Sequence, residues 1–450
     1  MPDLLPTVAM TDSRPPGNIC RGFPVVLTLL FLPGLGAQEI LYRFDGARPG
    51  ETAGAVVSRL GDLDGDGIPE IGVSAPLASD TTQPGGPVRV YSGATGAQLL
   101  RLDPIKPRAL CFALTGIGDI DRDGVPDILV GAPFTAPPIQ SPLGLLYGAG
   151  SVQVFSGSTG AVLFSFHGEQ QGAQLGHSVD ALADLNGDGV AEMLLGAPFT
   201  GPGELVGAGS AVVRSGADGE ILFAFHGSRD GDYLGWSVAG LPDINGDGAP
   251  ELMLAALYGG QGRAGRVFVR SGASGEQLFE LDGSDASELF GMTLAAAGDI
   301  DGDGVADIVV GAPGASLEGR VQAGSVFVFS GATRMLAYRL DGPEPFGGFG
   351  ESLAGGQDVD GDGVPDIVVG APSASPGGRP DAGSAFVYSG ATGSLLFRMD
   401  GSEQGESLGR SVALAGDLNG DRRSEIIVGV PYADPGGMDG AGSALVLSYR

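Results

Sequence analysis

Carboxylate side chains recur at a fixed spacing in one short loop of the chain. Asp299, Asp301, Asp303 and Asp307 occupy positions 1, 3, 5 and 9 of this loop, with Gly304 at position 6. Glycine at that position permits a sharp turn, which aims the oxygens inward. Ca²⁺ takes about six to eight oxygen ligands, whereas zinc and copper favour the Cys and His side chains that this loop lacks. The spacing therefore predicts a calcium loop.

The same loop occurs seven times, with intervals of 57, 65, 59, 56, 59 and 59 residues between the first aspartates. Position 12 is always aliphatic, unlike the bidentate Glu of an EF-hand, so the acid at position 9 must close the site. A backbone carbonyl at position 7, Val305 in the fifth copy, is placed to add a ligand. The predicted side-chain ligands are Asp62, Asp64, Asp66, Glu70, Asp119, Asp121, Asp123, Asp127, Asp184, Asn186, Asp188, Glu192, Asp243, Asn245, Asp247, Glu251, Asp299, Asp301, Asp303, Asp307, Asp358, Asp360, Asp362, Asp366, Asp417, Asn419, Asp421 and Glu425.

The copies are not identical. Asn replaces Asp at position 3 in three loops, which lowers the ligand charge and predicts weaker binding there. In the seventh loop Arg422 replaces the glycine of position 6 and Arg423 follows it, which costs turn geometry and adds positive charge beside the metal. The alternative is that these acids only form surface turns, since Asp and Asn favour turns anyway.

The charge of the chain fits cation binding. Its formal net charge is −30, and the seven loops hold 25 of its 54 acidic residues. Seven bound Ca²⁺ ions would reduce that charge to −16. Such an acidic chain would repel the phosphate backbone, so a nucleic-acid partner is not expected. The two cysteines, Cys20 and Cys111, provide no disulfide framework.

A second repeated pattern alternates with the acidic loops. Segments such as "GSAFVYSGATGSLLFRMDG", from Gly383, indicate a β-hairpin. A strand before and a strand after each acidic loop make four strands per repeat. The predicted fold is therefore all-β: a seven-bladed β-propeller of four-stranded blades over residues 38–450. Residues 39–46 resemble the second half of a hairpin, and residues 442–450 resemble the first half. Pairing of the two chain ends is therefore predicted to complete the last blade and close the ring. An open solenoid would have no use for a repeat that is split between the chain ends.

Residues 1–37 are predicted to be a signal peptide. Arg14 and Arg21 precede an apolar run, Phe23 to Pro33, and small residues lead to a cleavage site after Ala37. The run is shorter than the roughly 20 residues that span a bilayer. A buried N-terminal strand is the alternative, and Met1 or Met10 could be the true start. We expect a secreted or extracytoplasmic, monomeric protein with no membrane span.

The repeat resembles the FG-GAP repeat of the integrin α-subunit propeller and its bacterial relatives. Gly-Ala-Pro occurs at residues 131–133, 196–198, 311–313 and 370–372, and Phe-Gly at residues 290–291 and 349–350. Phe-Gly becomes Leu-Gly at residues 175–176, 234–235 and 408–409, and it is lost at residues 53–54 and 110–111, while residues 255–257 read Ala-Ala-Leu. The resemblance implies a seven-bladed propeller with Ca²⁺ between the first two strands of a blade. We expect no inserted metal-binding adhesion domain, leg domain or transmembrane helix, so integrin signalling and pairing with a β-subunit are not expected.

A variable ring of residues is predicted to mark the binding face. Seven residues before each first aspartate stand Ala55, Phe112, His177, Trp236, Met292, Glu351 and Arg410. A buried core position would not accept His, Glu and Arg in turn, so we expect this ring to be at least partly exposed. Trp236, the single tryptophan, is a candidate sugar or protein contact, although a partly covered surface aromatic is the plainer interpretation. The long connection over residues 134–150 is a second candidate contact.

The sequence shows no arrangement of residues that indicates catalysis. His167 and His226 occupy the hairpin-end position that Asp fills in other repeats, and Cys111 is interpreted as a packed small residue. We expect a non-enzymatic, secreted calcium-binding propeller of adhesion type that binds an extracellular protein or polysaccharide. A polysaccharide-active enzyme on a propeller and a purely structural surface protein are the alternatives.

Overall fold

The computed structural model describes residues 38–78, 86–103, 111–136, 140–141, 144–145 and 148–450. All of them fall within one compact unit. The predicted signal peptide, residues 1–37, lies outside the described residues, as does part of the connection over residues 134–150. Within the described part of the chain there is no helix whose length and apolarity would let it cross a bilayer.

The described residues form thirty short strands, which are numbered in chain order. The N-terminal strand is β1 (Gln38–Asp45), and the first blade contains β2 (Val57–Arg59), β3 (Ile71–Ser74), β4 (Val88–Tyr91) and β5 (Gln98–Leu102). The second contains β6 (Ala113–Ile117) and β7 (Asp127–Ala132), then, after the small pair β8 (Gln140–Ser141) and β9 (Gly144–Leu145), β10 (Ser151–Phe155) and β11 (Val162–His167). The third contains β12 (Val179–Leu182), β13 (Glu192–Ala197), β14 (Ser210–Arg214) and β15 (Ile221–His226).

The remaining blades repeat the pattern. The fourth contains β16 (Leu234–Leu241), β17 (Glu251–Ala256), β18 (Arg266–Ser271) and β19 (Gln277–Asp282), and the fifth β20 (Thr293–Gly298), β21 (Asp307–Ala312), β22 (Ser325–Phe329) and β23 (Leu336–Asp341). The sixth contains β24 (Ser352–Gln357), β25 (Asp366–Ala371), β26 (Ser384–Tyr388) and β27 (Leu395–Asp400), and the seventh β28 (Val412–Gly416), β29 (Glu425–Val430) and β30 (Ser443–Tyr449). Short 3₁₀ turns span Gln261–Arg263, Pro376–Gly378 and Pro435–Gly437.

The ring is closed by the two ends of the chain. Six blades pair their four strands in chain order, whereas the seventh has the order β1-β30-β29-β28. Strand β1 runs antiparallel to β30, with Phe44 opposite Ala444 and Asp45 opposite Ser443. The predicted all-β, seven-bladed fold and its closure by the terminal strands are confirmed. Closure pairs strand edges that would otherwise stay open.

The second strand of each blade forms the core. In blades two to seven all six residues of this strand are buried, as are all four residues of β3. Burial on both faces follows because each blade packs between two neighbours, and it explains why these strands are continuously apolar. The apolar clusters accordingly include residues of adjacent blades; one joins Phe44, Ile427 and Val446 of blade seven to Val57 and Ile71 of blade one.

The glycine of each Gly-Ala-Pro segment contacts the glycine of a Phe-Gly or Leu-Gly pair in the next blade. At Gly370, the glycine of a Gly-Ala-Pro segment, an added Cβ would lie 2.0 Å from the carbonyl oxygen of Gly409 in the next blade. The hydroxyl of Ser352 donates to that same carbonyl at 2.8 Å. Thr293 donates in the same way to Gly350, and Ser178 to Gly235. The motif is thus explained by a backbone approach too close for any side chain.

Candidate metal loops and axial cavity

The acidic loops lie where the first strand of each blade turns into the second. In blade one the loop runs from Asp62, after β2, to Glu70, before β3. The hairpin turn between the third and fourth strands lies on the same side of a blade as the acidic loop, since in blade four the Ser271 hydroxyl donates to Asp247 at 2.9 Å. The loops and hairpin turns therefore share one face of the propeller.

Backbone N–H groups fix the shape of each loop. In the first loop the two carboxylate oxygens of Asp62 accept from Gly65 at 2.7 Å and Gly67 at 2.8 Å. Asp66 accepts from the N–H of Ile68 at 2.8 Å, and Asp64 from that of Asp66 at 3.2 Å. These bonds organise the acids without any positively charged side chain. In the third loop, donation by the backbone N–H groups of Gly189 and its neighbours lowers the pKa of the position-1 carboxyl, Asp184.

The turns bring acids that are distant along the loop close together in space. One ligand atom from each member of a group lies within 4.8 Å of the others. Five such groups contain, in turn, Asp62, Asp64, Asp66 and Glu70; Asp119, Asp121 and Asp127; Asp184, Asp188 and Glu192; Asp243, Asp247 and Glu251; and Asp299, Asp301 and Asp303. In loops one to four the group joins the start of the loop to the buried acid of position 9, although the fifth group lacks Asp307.

The acids of position 9 are buried and face opposing influences. Glu70, Glu192, Glu251 and Glu425 are fully buried, and loss of hydration raises the pKa of each carboxyl to about 7. One oxygen of each carboxylate accepts the N–H of the position-2 residue, as Glu192 does from Leu185 at 2.7 Å. This hydrogen bond favours the charged form and so lowers the pKa, against the effect of burial. Burial also raises the pKa of Asp127 and Asp366 to about 6.

The bonding of the second carboxylate oxygen of the position-9 glutamates indicates whether a cation fits these loops. Oε1 of Glu70 and Oε1 of Glu192 are buried and accept no hydrogen bond from the described residues. In two other loops an Asn side chain donates a hydrogen bond to this oxygen: Nδ2 of Asn245 donates to Glu251 at 2.6 Å, and Nδ2 of Asn419 to Glu425 at 2.5 Å. A buried carboxylate oxygen without a donor is costly unless a cation or a proton satisfies it. The donor set, all oxygen, fits Ca²⁺.

The acid of position 9 also separates the loops into two kinds. Where it is Asp, its other oxygen accepts an N–H from the hairpin turn: Gly157 to Asp127 at 3.0 Å, and Gly331 to Asp307 at 2.9 Å. The shorter side chain thus ties the loop to the hairpin turn. The sequence showed the substitution but not this difference in bonding.

Arginines occupy left-handed backbone positions in two loops. Arg422 adopts φ 68° and its N–H still donates to Asp417 at 2.8 Å, so the seventh loop turns as the others do. Arg122, at position 4 of the second loop, has φ 63°, and its side chain donates to the carbonyl of Asp188 in the next loop at 2.9 Å. The role of Arg122 was not expected from the sequence, because only position 6 was taken to require a positive φ.

The variable ring surrounds the opposite end of the propeller axis. Six of its members precede the first strand of their blade and Trp236 lies near the start of β16, whereas the acidic loops follow these strands, so the two features lie at opposite ends of them. A cavity of about 540 Å³, which we call the mouth, is lined by all of Ala55, Phe112, His177, Trp236, Met292, Glu351 and Arg410. None of the seven side chains is fully buried, which confirms the expected exposure of the ring.

The mouth leads along the axis to a second cavity of about 730 Å³ near the acidic loops. The residues that line both cavities are all apolar, and they are Leu114, Val179, Val238, Leu294, Leu353 and Val412. Asp180 lines the second cavity, accepts an N–H from Gly240 of the next blade at 2.8 Å, and has its pKa raised by burial. Its carboxylate therefore stabilises the contact between blades three and four.

Aromatic side chains gather on one side of the mouth. The ring centroids of His177 and Trp236 are 4.6 Å apart, and those of Phe112 and Phe134 are 4.9 Å apart. Phe199 lies 6.0 Å from Trp236. On the other side, a guanidinium nitrogen of Arg410 lies 3.4 Å from a carboxylate oxygen of Glu351. The mouth is therefore mainly aromatic over blades two to four, whereas blades six and seven contribute this charged pair together with Tyr432.

His226 and Cys111 have structural positions. The ring of His226 bonds the Ser210 hydroxyl at 2.8 Å, as Asp341 accepts from Ser325 in blade five at 2.9 Å. Cys111 is 2% exposed, and burial raises the pKa of its thiol to about 12, so it does not ionise at neutral pH. These contacts agree with the interpretation of the hairpin-end residue as a turn residue and of Cys111 as a packed one.

Comparisons with known proteins agree with this architecture. The FG-GAP repeat family matches residues 114–155, 234–269, 290–329, 349–388 and 408–447, which lie in blades two and four to seven. Integrin alpha-V of Gallus gallus is 30% identical over 212 residues, covering 44% of this chain and 19% of its own length. Integrin alpha-4 of Xenopus laevis is 40% identical over 164 residues, which is 34% of this chain and 15% of its own length.

Human integrin alpha-IIb is 37% identical over 167 residues, covering 33% of this chain and 16% of its own length. The matched regions thus span less than a fifth of these relatives. A chain of the crystal structure of BBS1N in complex with ARL6DN shares the fold, with a TM-score of 0.52 and 11% identity over 92% of this chain and 97% of that one. The chain therefore carries five FG-GAP repeats in a seven-bladed β-propeller and is similar in sequence to the integrin α subunits.

Proposed function

We propose that this protein is a calcium-stabilised binding module of adhesion type that acts outside the cytoplasm without catalysing a reaction. The observation that supports metal binding most directly is the buried, donor-free Oε1 of Glu70 and of Glu192, each beside two or three further acids. Ca²⁺ would satisfy these oxygens and join the first two strands of a blade. The 28 predicted ligands are the residues that would hold it, with up to seven ions per chain.

The binding half of the proposal rests on the opposite face. The loops that would hold calcium leave the mouth free, and the mouth combines exposed aromatic side chains with a polar pair, as ligand-binding cavities do. Homology to integrin α subunits is consistent with an extracellular protein or polysaccharide as ligand. Metal ions would therefore maintain the ring while the diverged face binds.

Thermal unfolding with and without metal tests the first half. After removal of metal with a chelator we expect the melting temperature to fall markedly, because clustered carboxylates then repel one another, and we expect Ca²⁺ to restore it. Mg²⁺ at the same concentration should restore less, since it demands stricter octahedral geometry. Identical melting curves with chelator and with Ca²⁺ would show that the metal has no structural role.

A further inference from the structure

We propose that the mouth of the axial channel is a binding site for an uncharged sugar residue. The proposal rests on the function proposed above, and it assigns a ligand class to the mouth. A pyranose ring presents a flat face of C–H groups and a rim of hydroxyls. The mouth offers the complement: aromatic rings on one side and a carboxylate–guanidinium pair on the other.

The aromatic side supplies surface suited to the apolar face of a sugar. Phe112 is 42% exposed and Phe134 44% exposed, yet they contact each other edge to face. Trp236 is held by the ring of His177, whose Nδ1 bonds the Trp236 carbonyl at 3.0 Å, and by Phe199 behind it. Rings braced in this way are pre-organised, which lowers the entropy cost of binding.

The polar side supplies hydrogen bonds without net charge. Among the described residues lining the mouth, Glu351 and Arg410 are the acid and the base, and their charges offset each other. Burial lowers the pKa of His177, so its ring is uncharged at neutral pH. Glu351 can accept and Arg410 can donate hydrogen bonds to neighbouring hydroxyls. A strongly anionic ligand would in addition be repelled by the net negative charge of the chain, which is −30 without metal and −16 with seven Ca²⁺ bound.

The size and shape of the mouth favour a small ligand over a protein surface. Its volume of about 540 Å³ lies within the range of about 300–1,000 Å³ that is typical of small-molecule sites. A stable protein interface buries at least about 1,000 Å² with good complementarity, and a recessed ring does not present such a surface. The terminal residue of a glycan, entering along the axis, fits this geometry.

An array of neutral oligosaccharides, with polyuronates and sulfated glycans on the same slide, tests the proposal with the calcium-loaded full chain. Titration calorimetry then measures the affinity of a neutral oligosaccharide that binds. We expect Trp236→Ala and Phe112→Ala each to lower that affinity about tenfold or more. Phe346→Ala is the matched control, because Phe346 is an aromatic residue with 60% exposure that does not line the mouth. The Phe346→Ala variant should bind the oligosaccharide with the same affinity as the unsubstituted chain.

The variants Arg410→Gln and Glu351→Gln test whether the mouth recognises a neutral or a charged glycan. Each leaves one unpaired charge at the rim, so each should weaken a neutral sugar only through the lost hydrogen bond and add little salt dependence. Binding to charged glycans alone, or neutral binding that survives both aromatic substitutions, would overturn the assignment. A purified extracellular protein whose binding is lost in Trp236→Ala, with no sugar bound, would overturn the sugar assignment but keep the binding module. Failure of every glycan and protein probe with the metal-loaded chain would overturn the binding module itself.

Discussion

The acid at position 9 is the residue on which each proposed metal site depends. Glu70 and Glu192 hold one oxygen on a backbone N–H and leave the other buried without a donor among the described residues. Without a cation such a group is stable only when protonated, which is why burial raises its pKa to about 7. With a cation the charged form is favoured. Metal and proton should therefore compete for the glutamates that fill this position in four loops.

This competition predicts opposite pH dependences. In metal-free protein the folded-state pKa of the four glutamates, about 7, exceeds the ordinary value of 4.5, so the folded chain binds protons that the unfolded chain has lost. Their stabilising contribution is present at low pH and is lost as pH rises from about 4.5 to about 7. We expect the melting temperature to fall across that window without metal and not to fall in saturating Ca²⁺.

The glutamine variants Glu70→Gln and Glu192→Gln provide the control for this pH dependence. Each removes a titrating group, so the metal-free decline of the melting temperature between about pH 4.5 and 7 should become shallower. The measurement is thermal unfolding by circular dichroism across that range. Parallel pH profiles with and without Ca²⁺ would contradict the competition.

Arg422 predicts a difference in calcium affinity between loops. Its left-handed backbone, φ 68°, costs about 1–2 kcal/mol, and its charge lies beside the acids of the seventh loop. Arg422→Gly should relieve both effects and fill the weakest site at a Ca²⁺ concentration several-fold lower. Native mass spectrometry of the number of bound ions across a calcium titration measures the change.

Arg334→Gly is the matched control for this effect. Arg334 has a similar φ of 63° but lies in a hairpin turn outside the acidic loops, so its replacement relieves the backbone without altering a proposed site. The number of bound ions should follow the unsubstituted chain. If Arg334→Gly shifts calcium occupancy as much as Arg422→Gly does, the charge of Arg422 is not the cause.

Residue spacing predicted which acids come together but not how each is bonded. The repeat of Asp, Asp and Asp or Glu indicated the clusters of loops one to four. It did not indicate that the Asn245 amide donates to Glu251, because an amide can act as either ligand or donor. The left-handed Arg122 was also missed, because only position 6 was taken to need a positive φ, although the glycine that fills position 4 in the six other loops was the signal for it.

At the scale of elements, the contact between blades explains the glycines that recur in the sequence. Gly370 lies in a strand that packs directly on the backbone of the next blade, and a Cβ there would meet Gly409 at 2.0 Å and the Ser352 hydroxyl at 2.1 Å. Gly370→Ala should therefore destabilise the protein by about 1–3 kcal/mol, because backbone must move to make room. Urea unfolding measures the change.

Gly118→Ala is the control at this scale. The nearest atom to its added Cβ is the Cβ of Ala191 at 3.5 Å, which is ordinary contact, and its φ is not left-handed. The change in unfolding free energy should stay within about 0.5 kcal/mol. An equal loss in both variants would mean that the close approach between blades is not what requires glycine.

The elements were largely predictable because each repeat carries the same signals. Alternating hairpins and acidic loops indicated four strands per blade, and the strands that follow the loops are apolar throughout, which is typical of buried strands. Strand bounds were less evident in the first blade, where β2 spans only Val57–Arg59. The hydroxyl bonds between blades, such as Ser352 to Gly409, were not predictable, since they join residues 57 positions apart.

At the scale of the whole molecule, the closed ring separates two faces that can change independently. The acidic loops at one end of the axis keep their spacing in all seven blades, while the mouth at the other end carries a different residue in each. The split repeat at the chain ends indicated closure from sequence alone, because only pairing of β1 with β30 completes the seventh blade. The cavity could not be predicted, since it depends on how seven side chains converge.

Phe44 tests how far the protein depends on that closure. It lies in β1, is 6% exposed, and stacks on Tyr91 of the first blade with ring centroids 4.0 Å apart, so it joins the last blade to the first. Phe44→Ala should cost about 3–5 kcal/mol of unfolding free energy, because it opens a cavity at the junction. Phe346→Ala, at 60% exposure, is the control and should change little.

The cost of Phe44→Ala should also appear in the cooperativity of unfolding. If the ring unfolds as one unit, a loss at the junction lowers the single transition as a whole, and urea curves followed by fluorescence and by circular dichroism should coincide. If the blades unfold independently, the variant should instead separate an early transition of the terminal strand from a late one that is unchanged. A single transition would mean that closure by β1 determines global stability, whereas separate transitions would mean that closure is a local feature. We expect a single transition, because β29 and β30 at that junction lie within the continuous core.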